Sequence, residues 1–284
     1  MDVTSKRILI HKINNLPTLP AILSKIIELT ESRSSTAHDL GELLSKDPSI
    51  SSLILKLVNS AYYGNLRHIS SINHATVILG FQMVKTIAMG VSVYQTRTRS
   101  DSHFDRELFW LHSLSVAYCS QVIATTAGLP RDLNKDTVFL SGLLHDVGKV
   151  IFDNYFTEDY TRVTELVERK DLWIGHAEMF TLQMNHCEAG FYLARKWQFP
   201  EPVTNAIRFH HNLEKCPEQH AFLCAVVHAA DHCCRKLGIG SGGDHTLPKL
   251  NPEIVKQGLT DEVLEKAMHV VEQNRQQLEE FVIG

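Results

Sequence analysis

No apolar run in this 284-residue chain approaches the roughly 20 residues that a bilayer-spanning helix needs, so no membrane span is expected. Cysteine is sparse. The six, Cys119, Cys187, Cys216, Cys224, Cys233 and Cys234, include no C-x-x-C pair, and no signal peptide precedes them. They read as reduced thiols in a cytoplasmic protein. Positive charge is not in excess either: 28 Lys and Arg against 32 Asp and Glu give a net −4. Without a global positive field or a Lys/Arg run, little in the chain attracts nucleic-acid phosphates. Alternating strand-like runs are scarce, and no internal repeat is evident.

What the chain does have is helix. Hydrophobic residues make up 44% of it, enough for a sizeable core, and they recur at three- and four-residue spacing. The fold class read from this is all-α. Helices are expected at Ala21–Thr30 (opened by Pro17 and Pro20), Thr36–Leu44, from Pro48 to a stop at Gly64, at Ile72–Leu79 and at Val84–Tyr94. The polar stretch Thr96–Ser102 reads as a linker. A long helix over Asp105–Thr126 follows, then one capped by Asp136 that runs into Leu143-Leu144-His145-Asp146. Further helices are expected at Glu158–Lys170, Ala177–Met184, His186–Trp197, Glu201–His211, Pro217–Leu237 and, as one terminal amphipathic element, Leu259–Val282. Gly238–Asp244 reads as a flexible loop. The domains expected are an N-terminal helical bundle (1–95), a second helical domain (96–240) and a C-terminal loop and helix (241–284). Thr36–Leu44 and Ser49–Asn59 could form a helix-turn-helix. The second helix carries only Lys56 as a basic residue, too little for phosphate contacts, so DNA is not an expected partner.

His145-Asp146 carries the most chemical information. The apolar residues Val138, Phe139, Leu140, Leu143 and Leu144 deliver an imidazole and a carboxylate into what should be interior. Burying such a pair is costly unless something pairs with it, and a divalent metal accepts both donors. Phe109, His112, Val116, Cys119 and Ile123 form one helical stripe, so His112 shares the apolar face. His186 opens a helix, with Gly190 four residues on where a missing side chain lets a helix or ligand approach. His210-His211 close another helix, and Asp231 lies among apolar residues. Each alone has a plain reading: a satisfied core histidine, helix-end imidazoles on the dipole, an aspartate paired with Arg235. As an ordered set they could hold two divalent ions of Fe, Mn, Ni, Zn or Co, if Asp146 bridges them. His228 and His232 are expected to be structural or exposed.

The order His112…His145-Asp146…Asp231 resembles the H…HD…D pattern of the HD superfamily of metal-dependent phosphohydrolases. His186 and His210-His211 are similar to the extra histidines of the dinuclear HD-GYP phosphodiesterases. Lys149 in His-Asp-x-Gly-Lys matches the lysine that contacts substrate phosphate there. The segment Asn212-Leu213-Glu214-Lys215-Cys216-Pro217 has no Gly-Tyr-Pro triplet, which sets the chain apart from that group's cyclic di-GMP substrate. Leu108 stands where trinuclear members carry a glutamate, so a third metal is not expected. Residues 10–235 resemble the HDOD family, the HD-related output domains of bacterial signalling proteins. The resemblance runs through Leu16-Pro17-Thr18-Leu19-Pro20, Asp47-Pro48, Leu57 to Gly64, Ile72-Asn73-His74-Ala75 and Leu79-Gly80. It continues through Glu178, His186 to Gly190, Trp197, Pro200 and His210-His211.

That resemblance implies an HD-like helical bundle with an N-terminal helical subdomain. It implies a cytoplasmic signalling module that carries metal and meets a signalling protein in trans. The alternative is a metal-dependent phosphohydrolase or phosphodiesterase acting on a nucleotide, a cyclic (di)nucleotide or another phosphate ester. In that case Asp146 and Lys149 take the catalytic roles, the lysine as a point charge for phosphate. The covers expected over the centre are the segment between Phe152 and His186 and the Gly238–Asp244 loop.

Overall fold

The computed structural model describes residues 21–31, 35–59, 69–94 and 104–283. The expected opening at Pro17 and Pro20, the stop at Gly64 and the linker Thr96–Ser102 lie outside them. Helix dominates, no strand occurs among the described residues, and none of the described helices is long and apolar enough to cross a membrane.

Two compact units result. The first holds α1 (Ala21–Glu31), α2 (Ala37–Ser45), α3 (Pro48–Asn59), α4 (Ile72–Leu79) and α5 (Phe81–Tyr94), with the chain after Arg275. Its local chemistry is well placed. Thr36 and Asp39 form a reciprocal capping box at the start of α2. Asn59 at the end of α3 donates to the Ile69 carbonyl (2.7 Å) and accepts from the Ile69 N–H (2.7 Å), so one carboxamide pins the chain entering α4. Ile26, Leu40, Leu44, Ile54, Val58, Ala75, Val84 and Ile87 are fully buried and form the core.

The second unit is built around α6 (Arg106–Ala127), about 33 Å long. Asp105 caps its start, and the side chains from Phe109 to Gln121 are buried all round. The His112 stripe is therefore one side of a wholly enclosed helix. Against α6 pack α7 (Lys135–Leu144) and α13 (Ala221–Leu237). The cap of α7 is Asn134, whose Oδ1 accepts from the Thr137 N–H at 2.7 Å, and not Asp136. Both residue types cap well, and the one whose side chain meets the third following N–H prevails. The order continues with α8 (Val147–Tyr155), α9 (Thr157–Lys170), α10 (Ile174–Leu182), α11 (His186–Lys196) and α12 (Glu201–Phe209). The terminal helix expected as one element is two, α14 (Asp261–Gln273) and α15 (Arg275–Ile283). They break at Asn274, whose amide donates to the Val270 carbonyl (2.8 Å) and to the Tyr118 hydroxyl (3.1 Å).

The crossing of α8 and α11 decides where the centre can form. A Cβ on Gly148 would lie 1.9 Å from the His186 carbonyl oxygen, and one on Gly190 would lie 2.7 Å from Ile207 and 3.2 Å from the Gly148 nitrogen. The approach Gly190 permits is thus that of another helix. Gly148→Ala should cost about 3 kcal/mol, the upper end for overpacking against atoms that cannot yield. Gly238→Ala, where a Cβ meets nothing within 4 Å but φ is +65°, should cost about 1 kcal/mol of left-handed strain. Urea midpoints of the two variants against the parent check the difference, and equal losses would refute the tight crossing.

Candidate metal centre

His145 and Asp146 sit at the joint between two helices. His145 is the last residue with α7 geometry, and Asp146 (φ −102°, ψ 15°) opens α8. The joint turns both side chains inward, and neither residue is solvent-exposed. His145 Nδ1 lies 2.7 Å from the Gly142 carbonyl, one of the free carbonyls at the end of α7. A nitrogen donating there is the protonated one, which leaves Nε2 with a lone pair. The same device recurs twice. His186 Nδ1 lies 2.7 Å from Glu178 Oε2, which also accepts the His186 backbone N–H at 2.8 Å. His210 Nδ1 faces the Ala206 and Ile207 carbonyls at 3.1 and 3.0 Å.

The lone-pair atoms then converge. Asp146 Oδ1 lies 3.2 Å from His186 Nε2 and 3.6 Å from His210 Nε2, and its Oδ2 lies 3.2 Å from His145 Nε2. His112 Nε2 is 3.1 Å from Asp231 Oδ1, and His145 Nε2 is 4.0 Å from that same oxygen. Despite these distances, Nε2 of His112, His145, His186 and His211, and Oδ1 of Asp146, are buried without an aligned hydrogen-bond partner. Buried polar atoms are nearly always satisfied, so five such atoms converging on one region fit a site that holds a cation. Donor atoms within 4.8 Å of one another form two groups, His112–His145–Asp146 and His186–Cys187–His210–His211. The mixed imidazole and carboxylate chemistry fits a divalent transition metal.

The electrostatics agree. Burial works against ionising Asp146, but His145, Lys149 and His186 hold its carboxyl well below the usual range; Arg235 and His112 do the same for Asp231. Burial keeps His112 below the ordinary imidazole value, and burial with neighbouring His210 takes His211 well below it. Neutral imidazoles and ionised carboxylates are the forms that ligate. His210 moves upward. Burial opposes its protonation, but Cys187 and Asp146 outweigh that, a preference for positive charge that a metal ion also meets.

Every sequence-predicted site residue is in this region. Lys149 is fully buried, donating to Asp146 Oδ2 (2.5 Å) and to the Gly242 carbonyl (2.8 Å). Asp231 keeps its plain partner as well, accepting from Arg235 Nε at 2.9 Å. His228 and His232 have structural duties: His228 Nε2 accepts from the Asn251 N–H (3.0 Å), and His232 Nδ1 meets the Pro248 carbonyl (3.1 Å).

The glycine loop expected as flexible is instead a fastened strap. Ser241 N–H donates to the Leu108 carbonyl (2.9 Å), and Asp244 accepts from Arg235 Nη1 (3.1 Å). Gly240 has φ +65°, and a Cβ there would stand 2.4 Å from the His112 nitrogen. The other expected cover, between Phe152 and His186, is mostly α9 and α10, with Trp173 ahead of α10 edge-on to His211 at 5.0 Å. Sequence reasoning missed Glu178, Cys187, Asp244 and Gly242 as site residues. Glu178 stands eight residues before His186 with no helical register joining them; the signals that pointed to it were its place in an apolar segment and in the HDOD resemblance.

A family profile for the HDOD domain matches residues 16–213. An HDOD domain protein of unknown function from Geobacter sulfurreducens has a similar structure, with TM-score 0.80, 26% identity and full coverage of both chains. A Shewanella amazonensis SB2B protein assigned provisionally as a phosphohydrolase superposes with TM-score 0.73 at 22% identity, covering 96% of each chain, a likeness of fold alone. An uncharacterized protein of Treponema pallidum (strain Nichols) is 29% identical over 226 residues, 80% of this chain. The chain spans 43% of that relative's length.

Glu178→Gln replaces the acceptor that fixes the His186 ring with a weaker one. Zinc or manganese affinity, measured by competition with a chelating dye, should fall about 10–100-fold, the usual cost of losing such a support. Unchanged affinity would show that Glu178 does not orient a ligand.

Proposed function

The chain belongs to the HDOD domain family, and from that premise we propose that it is a metal-binding signalling module that works through protein contacts. The observation that carries this reading is enclosure: His112, His145, Asp146, His186, His210 and Asp231 are all between 0 and 3% exposed, under a fastened strap. A centre shut in this way suits an ion that holds helices together and sets the shape of a surface. We place His112, His145, Asp146, His186, His210, His211 and Asp231 as its ligands, with Asp146 shared between two donor groups that have room for two ions. Val77 (78% exposed) and Ile78 on α4 offer apolar surface for a signalling partner in trans. Six cysteines standing as free thiols support a reducing, cytoplasmic setting.

One observation favours a second reading, a phosphohydrolase acting on a nucleotide or other phosphate ester. The donor set is complete, and Asp146 presents one oxygen to each group. Bound divalent ions would supply an activated water and a clamp for a phosphoryl group. The chain's own residues then have defined duties: Asp146 holds both groups in register, and Lys149 supplies a fixed positive charge. Lys149 has a third N–H beyond those to Asp146 and Gly242, but it is fully buried beneath the strap, so on this reading turnover requires the strap to lift.

Elemental analysis of protein purified without chelator should find one to two divalent equivalents per chain, reduced in His145→Ala and Asp146→Ala. Saturating metal at about 100-fold over Kd should add roughly 2.7 kcal/mol of stability. Metal-loaded protein should leave a panel of phosphate esters and cyclic nucleotides intact. Turnover that disappears in Asp146→Ala would overturn the module in favour of the enzyme; a folded protein that takes up no Fe, Mn, Ni, Zn or Co would remove both.

A further inference from the structure

A groove of about 510 Å³ opens along α11 and α12, lined by residues that the metal centre does not use. Phe191 forms one wall. The Arg208 guanidinium lies 4.0 Å from the centre of its ring and that of Arg195 lies 5.8 Å from it. Arg208 also lies 5.2 Å from the Phe209 ring. Two guanidiniums thus gather about one aromatic ring, and neither makes an ion pair with a carboxylate among the described residues. Two cations at one groove without a carboxylate partner offer charge-assisted hydrogen bonds to an anion. Asn205 lines the same groove at 8% exposure, and its side chain has no hydrogen-bond partner among the described residues. The carboxamide faces the groove, where it offers a donor and an acceptor side by side.

These features together define a ligand. The rim asks for a compact anion that accepts forked hydrogen bonds, which is phosphate chemistry. The aromatic walls ask for a planar ring, and the carboxamide asks for an edge with an adjacent donor and acceptor, as a nucleobase has. The volume falls in the range of small-molecule sites. Glu201, also on the rim, is exposed and its charge is screened by solvent. We propose that this groove binds a nucleotide, with the phosphate on Arg195 and Arg208, the ring against the phenylalanines and the base edge on Asn205. α11 begins with His186 and α12 leads directly into His210, so the helices that would grip the nucleotide also carry the donors of the centre.

Titration calorimetry of the full chain with the four ribonucleoside 5′-monophosphates, ribose 5-phosphate and inorganic phosphate tests the proposal. At least one nucleotide should bind, and more tightly than ribose 5-phosphate or phosphate. Arg208→Ala and Arg195→Ala are surface changes that should leave the melting temperature in place and weaken that nucleotide about tenfold or more, as expected for a lost charge-assisted hydrogen bond. Asn205→Asp, close to isosteric, should change the preference among bases. Binding no tighter than that of inorganic phosphate would reduce the groove to an anion site and overturn the nucleotide. Nucleotide binding unaffected by both arginine variants, or no binding at millimolar ligand, would overturn the groove altogether.

Discussion

Asp146 is an ionised carboxylate with no access to water, and much of the second unit follows from keeping it there. Transferring such a group to the interior costs several kcal/mol unless it is met on all sides. Lys149, three residues along the same helix, meets Oδ2. Yet Lys149 is buried in turn, and its ammonium needs another acceptor, which the Gly242 carbonyl supplies from 93 residues away. That single bond requires the strap to lie over the centre. The strap can lie there only because Gly240 takes a positive φ against the backbone of α6. On the other side of the centre the same logic repeats: Asp231 is met by Arg235, and Arg235 by Asp244 at the strap's far end. The strap is therefore an electrostatic consequence of the buried pair as much as a cover for it.

The helices obey the same constraint. For His186 to bring Nε2 within 3.2 Å of Asp146, α11 must press on α8 at backbone distance. The glycine of His-Asp-x-Gly-Lys, read at first as part of a phosphate-contacting motif, is required for this packing. Glu178, the Gly142 carbonyl and the carbonyls at the end of α12 then set the ring orientations. For His145 and His210 the orienting acceptors are backbone carbonyls left unpaired at helix C-termini, and for His186 a carboxylate takes that place.

The donors were legible in the sequence because each is a polar residue in an apolar helical context, and that signal is local. His112 in its stripe, His145-Asp146 after Leu143-Leu144 and Asp231 among alanines all show it. Most helices were legible for the same reason. What escaped depends on contacts between distant parts of the chain. Gly238–Asp244 reads as flexible by composition, and only its partners Leu108, Lys149 and Arg235 make it a strap. The break at Asn274 leaves the amphipathic pattern of the last helices intact, and the Tyr118 hydroxyl that rewards it lies 156 residues away. Asn134 and Asp136 were equivalent on paper as caps, since both residue types accept the same bond. Glu178 carries no periodic relation to His186 at all.

Charge counting separates the two readings of the centre more sharply than geometry does. Asp146, Asp231, Asp244 and Glu178 bring four carboxylates to the cluster, and Lys149 and Arg235 bring two cations. With every imidazole neutral, as ligation would require, the enclosed set is short of two positive charges. One divalent ion closes that deficit and leaves a neutral, complete centre with no call for a further ligand, which suits a structural or regulatory ion. A second divalent ion carries the set past neutrality, and a low-dielectric site cannot hold the excess without an anion over it. On the enzyme reading that anion would be hydroxide or a phosphoryl group. On the proposed module reading, one ion under the closed strap would suffice; on the enzyme reading, a second ion would need an anion that the strap would have to lift to admit.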